Sequence, residues 1–174
     1  MGKHTVAKQI AKNLDLDLID INEVVIESGI FVRKKETLDV DTKDLQKILE
    51  KKITTHSLIV GHLAPYVIPR NKLKTVIVLR QSPYKLISVY KKRKYSKQKT
   101  IENLGSEILG ITFYDTLKKF GSAKTHQIDT SLSSVSKVVK KIEMFFEKDK
   151  FQEDQVDWLG LISKKGDLNR FFPY

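Results

Sequence analysis

The chain is expected to fold as a three-layer α/β protein around a mainly parallel sheet. Three observations predict this. Apolar segments of strand length alternate with segments of helical period from one end to the other. Two of them, Ser57-Leu58-Ile59-Val60 and Thr75-Val76-Ile77-Val78-Leu79, are unbroken β-branched runs, the pattern of strands covered on both faces. The 174 residues, 40% hydrophobic and 30% charged, suffice for one domain with a real core, and no apolar run approaches the ~20 residues of a membrane span.

In chain order, residues 3–13 read as a helix, because Val6, Ile10 and Leu14 recur every four residues beside Ala7 and Ala11. Residues 16–21 read as a short strand, and Asn22 to Gly29 as a helix stopped by the glycine. The stretch 31–41 is polar and reads as irregular. Thr42–Lys52 is helical, with Leu45, Ile48 and Leu49 on one face. The runs at 57–60 and 75–79 follow as strands. Ser82-Pro83 is a helix opening, a cap followed by a first-turn proline. Ile101, Leu104, Ile108 and Ile111 mark one long helix. Residues 125–129 read as a weak last strand, residues 133–151 as a helix, and Trp158, Phe171 and Phe172 as packing anchors of a tail over about 152–174.

The charge is uneven. Thirty-two Lys and Arg against 21 Asp and Glu give +11, a surface that attracts polyanions: nucleotides, RNA or a ribosomal surface. Lys91, Lys92, Arg93, Lys94, Lys97 and Lys99 lie within nine positions. The absence of cysteine excludes disulfides, thiolate metal sites and a cysteine nucleophile, and a reducing cytoplasm is the expected location. The opening residues run straight into helical periodicity and have neither signal- nor transit-peptide character.

Gly2-Lys3-His4-Thr5 heads the first helix and corresponds to the last third of a phosphate loop, G-x-x-x-x-G-K-[ST]. In such a loop glycine lets backbone N–H groups wrap the β-phosphate, lysine reaches the β- and γ-oxygens, and a hydroxyl ligates Mg²⁺. Alone, a Gly-Lys pair before a helix is weak evidence. Further along, Val60-Gly61-His62-Leu63 ends a strand, Val76-Ile77-Val78-Leu79-Arg80 forms the next, and Arg93-Lys94-Tyr95-Ser96 leads to Glu102-Asn103 and Glu107. With Val156-Asp157-Trp158, these segments resemble, in order and over nearly the whole chain, the archaeal and eukaryotic adenylate kinases linked to ribosome biogenesis. That family includes the coilin-interacting nuclear adenylate kinase.

The resemblance implies a phosphate-loop nucleoside monophosphate kinase fold in a single domain over 1–174. An acceptor-binding insert would span about 20–42 and a lid about 92–101. It implies ATP and AMP as substrates with Mg²⁺, a possible small-subunit ribosomal protein or rRNA partner, and no membrane. Gly2, Lys3, His4 and Thr5 would hold the donor phosphates, with Lys3 and Arg93 the catalytic cations and Arg93 also on ATP. Arg33, Arg80 and His62 are candidates for the AMP side, although a histidine capping the strand end at His62 would look the same. Asp39 and Asp41 share the acceptor segment. Thr5 is the candidate metal ligand. The alternative is an ATP-dependent ribosome assembly switch with little kinase activity, or an inactive shortened product.

Three departures accompany the resemblance. The strand and first glycines of the loop are absent, His4 stands where the family has its first threonine, and Val60 stands where many members carry an acid. In this fold the absent strand lies mid-sheet. Without it, neighbouring strands would leave unpaired backbone groups at about 1–3 kcal/mol each, against a total stability of about 5–15 kcal/mol. The natural protein is therefore expected to start upstream, with Met1 read from a GUG- or UUG-type codon.

Overall fold

The computed structural model describes residues 2–34, 37–148 and 152–173. The chain divides into two compact units, one spanning Gly2–Thr75 and the other beginning at Val76. It is mixed α/β with parallel strands, the class the sequence predicts, and is consistent with a phosphate-loop nucleoside monophosphate kinase fold.

In the first unit, α1 (Lys3–Asn13) leads to β1 (Asp17–Asp20) and α2 (Ile21–Ser28). A hairpin of β2 (Phe31–Lys34) and β3 (Thr37–Val40) precedes α3 (Thr42–Lys52), β4 (Ser57–Val60) and the single turn α4 (Ala64–Val67). β1 and β4 pair in parallel, Asp17 opposite Ser57 through Asp20 opposite Val60. α1 lies against both strands and buries Val6, Ala7, Ile10 and Ala11, the i, i+1, i+4, i+5 stripe that a 3.6-residue period places on one face. α2 buries Ile21, Val24 and Val25, and α3 buries Leu45 and Leu49.

In the second unit β5 (Val76–Arg80) pairs in parallel with β6 (Thr125–Asp129), Val76 opposite Thr125 through Arg80 opposite Asp129. Between them come α5 (Pro83–Lys92), α6 (Lys97–Ile108) and α7 (Ile111–Phe120); α8 (Val135–Lys148), α9 (Trp158–Lys164) and α10 (Leu168–Phe171) follow. Leu86 of α5, Leu104 and Ile108 of α6, and Trp158, Ile162 and Phe171 of the tail form one buried cluster, so the tail aromatics do anchor the C-terminal segment.

Two expectations are corrected. Residues 31–41 are not irregular: Phe31 pairs antiparallel with Val40 and Val32 with Asp39. Each strand offers only about two apolar residues to a pattern search, and it is the pairing, not the periodicity, that defines them. The long helix through Ile101–Ile111 is two helices, because Gly110 takes a left-handed conformation (φ 66°) and starts α7 afresh. The expected helix end at 149–151 lies outside the described residues.

Candidate phosphate-binding site

Helix α1 begins at Gly2, whose φ of 68° and ψ of 13° are left-handed and cost a Cβ-bearing residue about 1–2 kcal/mol. Its carbonyl accepts the first helical hydrogen bond from the Val6 N–H at 2.8 Å. Helical geometry aims the amides of the first turn, at Lys3, His4 and Thr5, out of the helix end, where the macrodipole adds partial positive charge. Backbone and dipole therefore favour an anion at this end, with Lys3 at the first helical position.

His4 is tied down. Its Nδ1 lies 2.6 Å from Asp20 Oδ2, with the imidazole 38% exposed and the carboxylate 11% exposed. The other oxygen of Asp20 caps α2, accepting the Asn22 N–H at 2.9 Å. One carboxylate thus joins the start of α1, the end of β1 and the start of α2. This residue escaped the sequence reading, although Asp20 followed by Glu23 at the third helical position has the form of a helix-capping signature.

His62 sits two residues beyond Val60, the C-terminal residue of β4 in register with Asp20. It retains solvent access, but partial burial, followed by the nearby positive charge of Lys3, lowers its pKa below the ordinary 6.5. Lys3, His4, Asp20 and His62 therefore gather at the C-terminal edge of the β1–β4 pair, where open α/β sheets hold their ligands. Thr5 is exposed on α1, and Arg33 is exposed on the hairpin.

The remaining candidates belong to the second unit. Arg93 is exposed at the C-terminal cap of α5, its N–H donating to the Val89 carbonyl at 3.1 Å. The expected lid, 92–101, is the junction between α5 and α6, where Tyr90 and Tyr95 stack at 5.5 Å between centroids and the Lys99 ammonium lies 4.6 Å from the Tyr95 ring centre. Arg80 does not present its guanidinium to solvent. It is 4% exposed, and donates from Nε to Glu107 Oε1 at 2.8 Å, from one terminal nitrogen to Gln127 Oε1 at 3.1 Å and from the other to the Glu107 carbonyl at 2.7 Å. These internal acceptors occupy the guanidinium fork expected to meet an acceptor phosphate.

A phosphate loop that holds Mg²⁺ supplies a hydroxyl after its lysine and an acid at the end of a neighbouring strand. Here the first position is His4, already bonded to Asp20, and the strand-end position is the buried, apolar Val60. Among the described residues no group of three or more His, Cys, Asp or Glu side chains is placed to hold a metal. The residues present do not fit a protein-held Mg²⁺.

No family model matches the chain. Curated archaeal relatives do. A Methanococcus maripaludis protein named "putative adenylate kinase" is 29% identical over 167 residues, 91% of this chain and 90% of its own length. Proteins of the same name from Methanocaldococcus jannaschii (28% over 163 residues, 91% and 87%) and Thermococcus onnurineus (26% over 142 residues, 81% and 76%) are similar too. The chain is similar to these archaeal proteins over most of its length. No helix among the described residues is long and apolar enough to cross a membrane.

Proposed function

We propose that the chain transfers the γ-phosphoryl group of ATP to AMP, giving two ADP. The observation that carries this reading is the start of α1: a left-handed Gly2, Lys3 at the first helical position and outward-aimed first-turn amides, at the C-terminal edge of a parallel strand pair. The similarity to proteins named as adenylate kinases supports the acceptor class.

In this reading the Gly2–Thr5 backbone and Lys3 hold the donor phosphates and offset their charge. Arg93 meets the migrating phosphoryl group, whose charge spreads over its equatorial oxygens, and the 92–101 junction closes to exclude water. Arg33 and His62 serve the AMP side. The acceptor phosphate is already a nucleophile, so no general base is invoked.

A coupled assay of ADP formation from ATP plus AMP tests this. Formation should require both nucleotides and fall by about 10²–10³-fold in Lys3→Ala, the scale of losing one charge-stabilising group. Activity untouched by that change would overturn the reading.

A second reading draws on the exposed basic run Lys91, Lys92, Arg93, Lys94 and Lys97. Such a run suits a small-subunit ribosomal protein or rRNA, making the chain a nucleotide-driven assembly switch in the cytoplasm. Phosphate release from ATP without AMP, stimulated by ribosomal subunits, would favour it. AMP-dependent ADP formation indifferent to subunits would exclude it.

A further inference from the structure

The misfit between these residues and a protein-held Mg²⁺ has a functional consequence, and it rests on the nucleotide-binding reading above. We infer that this chain binds nucleotide phosphates without a protein ligand to magnesium, His4 replacing the metal-binding hydroxyl with an imidazole oriented by Asp20.

Three observations support this. First, the residue after Lys3 is an imidazole whose Nδ1 is 2.6 Å from Asp20 Oδ2, so the ring is fixed at that nitrogen and Nε2 is its remaining polar atom. An imidazole nitrogen is a poor ligand for Mg²⁺, which selects oxygen. Second, Asp20, the carboxylate at this edge, is committed twice, to His4 through Oδ2 and to the Asn22 amide through Oδ1. Third, the strand-end position that would supply an acid is Val60, 7% exposed and packed into the core. Thr5 does not restore the hydroxyl: one residue along an α-helix is a turn of about 100° around the axis, away from the direction His4 takes. The phosphates are then met by N–H groups, the Lys3 ammonium and the imidazole, and any magnesium is held by the nucleotide and water alone.

The test is calorimetric titration of the full chain with ADP, in excess EDTA and in excess MgCl₂, alongside His4→Thr. The wild-type dissociation constant is expected to change less than about threefold between the two conditions. His4→Thr, which restores a hydroxyl, is expected to bind at least about tenfold more tightly with magnesium than without, a difference of about 1.4 kcal/mol. Wild-type affinity that rises tenfold or more on adding magnesium overturns the inference, whatever the variant does. His4→Ser provides the same comparison if the β-branched threonine perturbs the helix start. Absence of ADP binding under both conditions overturns the nucleotide reading itself and is distinct from magnesium dependence.

Discussion

Arg80 Nε lies 2.8 Å from Glu107 Oε1, in an ion pair whose arginine is 5% and whose glutamate is 20% exposed. The same carboxylate oxygen receives the Trp158 indole N–H at 2.9 Å and the Gln81 amide at 3.2 Å. One side chain of α6 thus joins the end of β5 to the first turn of the tail. Glu107 lies beyond the expected lid at 92–101, and its contacts tie α6 to the end of β5 and to the tail.

Replacing Glu107 by alanine should therefore cost about 3–5 kcal/mol, because it strands a buried guanidinium without its counter-charge. Glu107→Gln should cost less, since an amide oxygen still accepts. Guanidinium chloride melts of the three proteins, followed by the fluorescence of Trp158, the sole tryptophan, measure both values. Equal stabilities would refute this role.

His62 makes a pH prediction. Its pKa is lowered below 6.5, by burial first and by Lys3 second, so the unfolded chain binds its proton more readily. Stability is then fully present above about 6.5 and is lost as pH falls below that value through the folded pKa. His62→Asn should flatten this part of the stability curve. An NMR titration of the imidazole should show its midpoint below 6.5, and a midpoint above it would contradict the cause assigned.

Gly61 lies at a close approach. A Cβ built there would come within 2.7 Å of the Ile21 Cβ and 2.9 Å of its Cδ1, and Ile21 is fully buried. Gly61→Ala should cost about 1–3 kcal/mol through overpacking where β4 gives way to the His62 loop. Thermal melts check it, and Ile21→Val in the same background should recover part of the loss by making room.

Much of this was legible in the sequence. Lys3–Asn13 and Thr42–Lys52 follow from their apolar spacing, Ser57–Val60 and Val76–Arg80 from their apolar runs. The hairpin at 31–40 was not, since its strands are defined by each other. The candidate site was half legible. Gly2 and Lys3 suggest the proposed phosphate site by residue type, but Asp20 reads as a strand end, and only the fold brings it against His4, sixteen residues earlier. Arg80 shows the converse. A strand-end arginine looks like a ligand group until Glu107 and Gln127, distant in sequence, are found to occupy it.

On the proposed phosphoryl-transfer reading, Arg93→Ala should lower kcat by about 10²-fold or more while leaving the melting temperature unchanged. The side chain is exposed and the cap contact uses its backbone N–H, so removing the guanidinium should cost the fold little. Arg93→Lys should rescue poorly, because an ammonium lacks the planar fork that matches phosphoryl oxygens. Coupled ADP assays with matched melts separate the outcomes. A fall in kcat accompanied by an equal fall in stability would assign Arg93 to structure.

Trp158 separates packing from hydrogen bonding at the contact between the tail and α6. The ring is 8% exposed in the cluster with Leu104, Ile108 and Ile162, and its only polar atom donates to Glu107. Trp158→Phe retains much of the apolar area and deletes the donor. It should cost about 0.5–1.5 kcal/mol for the hydrogen bond, plus a part for the smaller ring. Combined with Glu107→Gln, the two losses should not add, because both changes alter one contact; a coupling of about 0.5 kcal/mol or more in chemical melts is expected. Strict additivity would mean that the indole–carboxylate bond contributes nothing to the docking of the tail on α6.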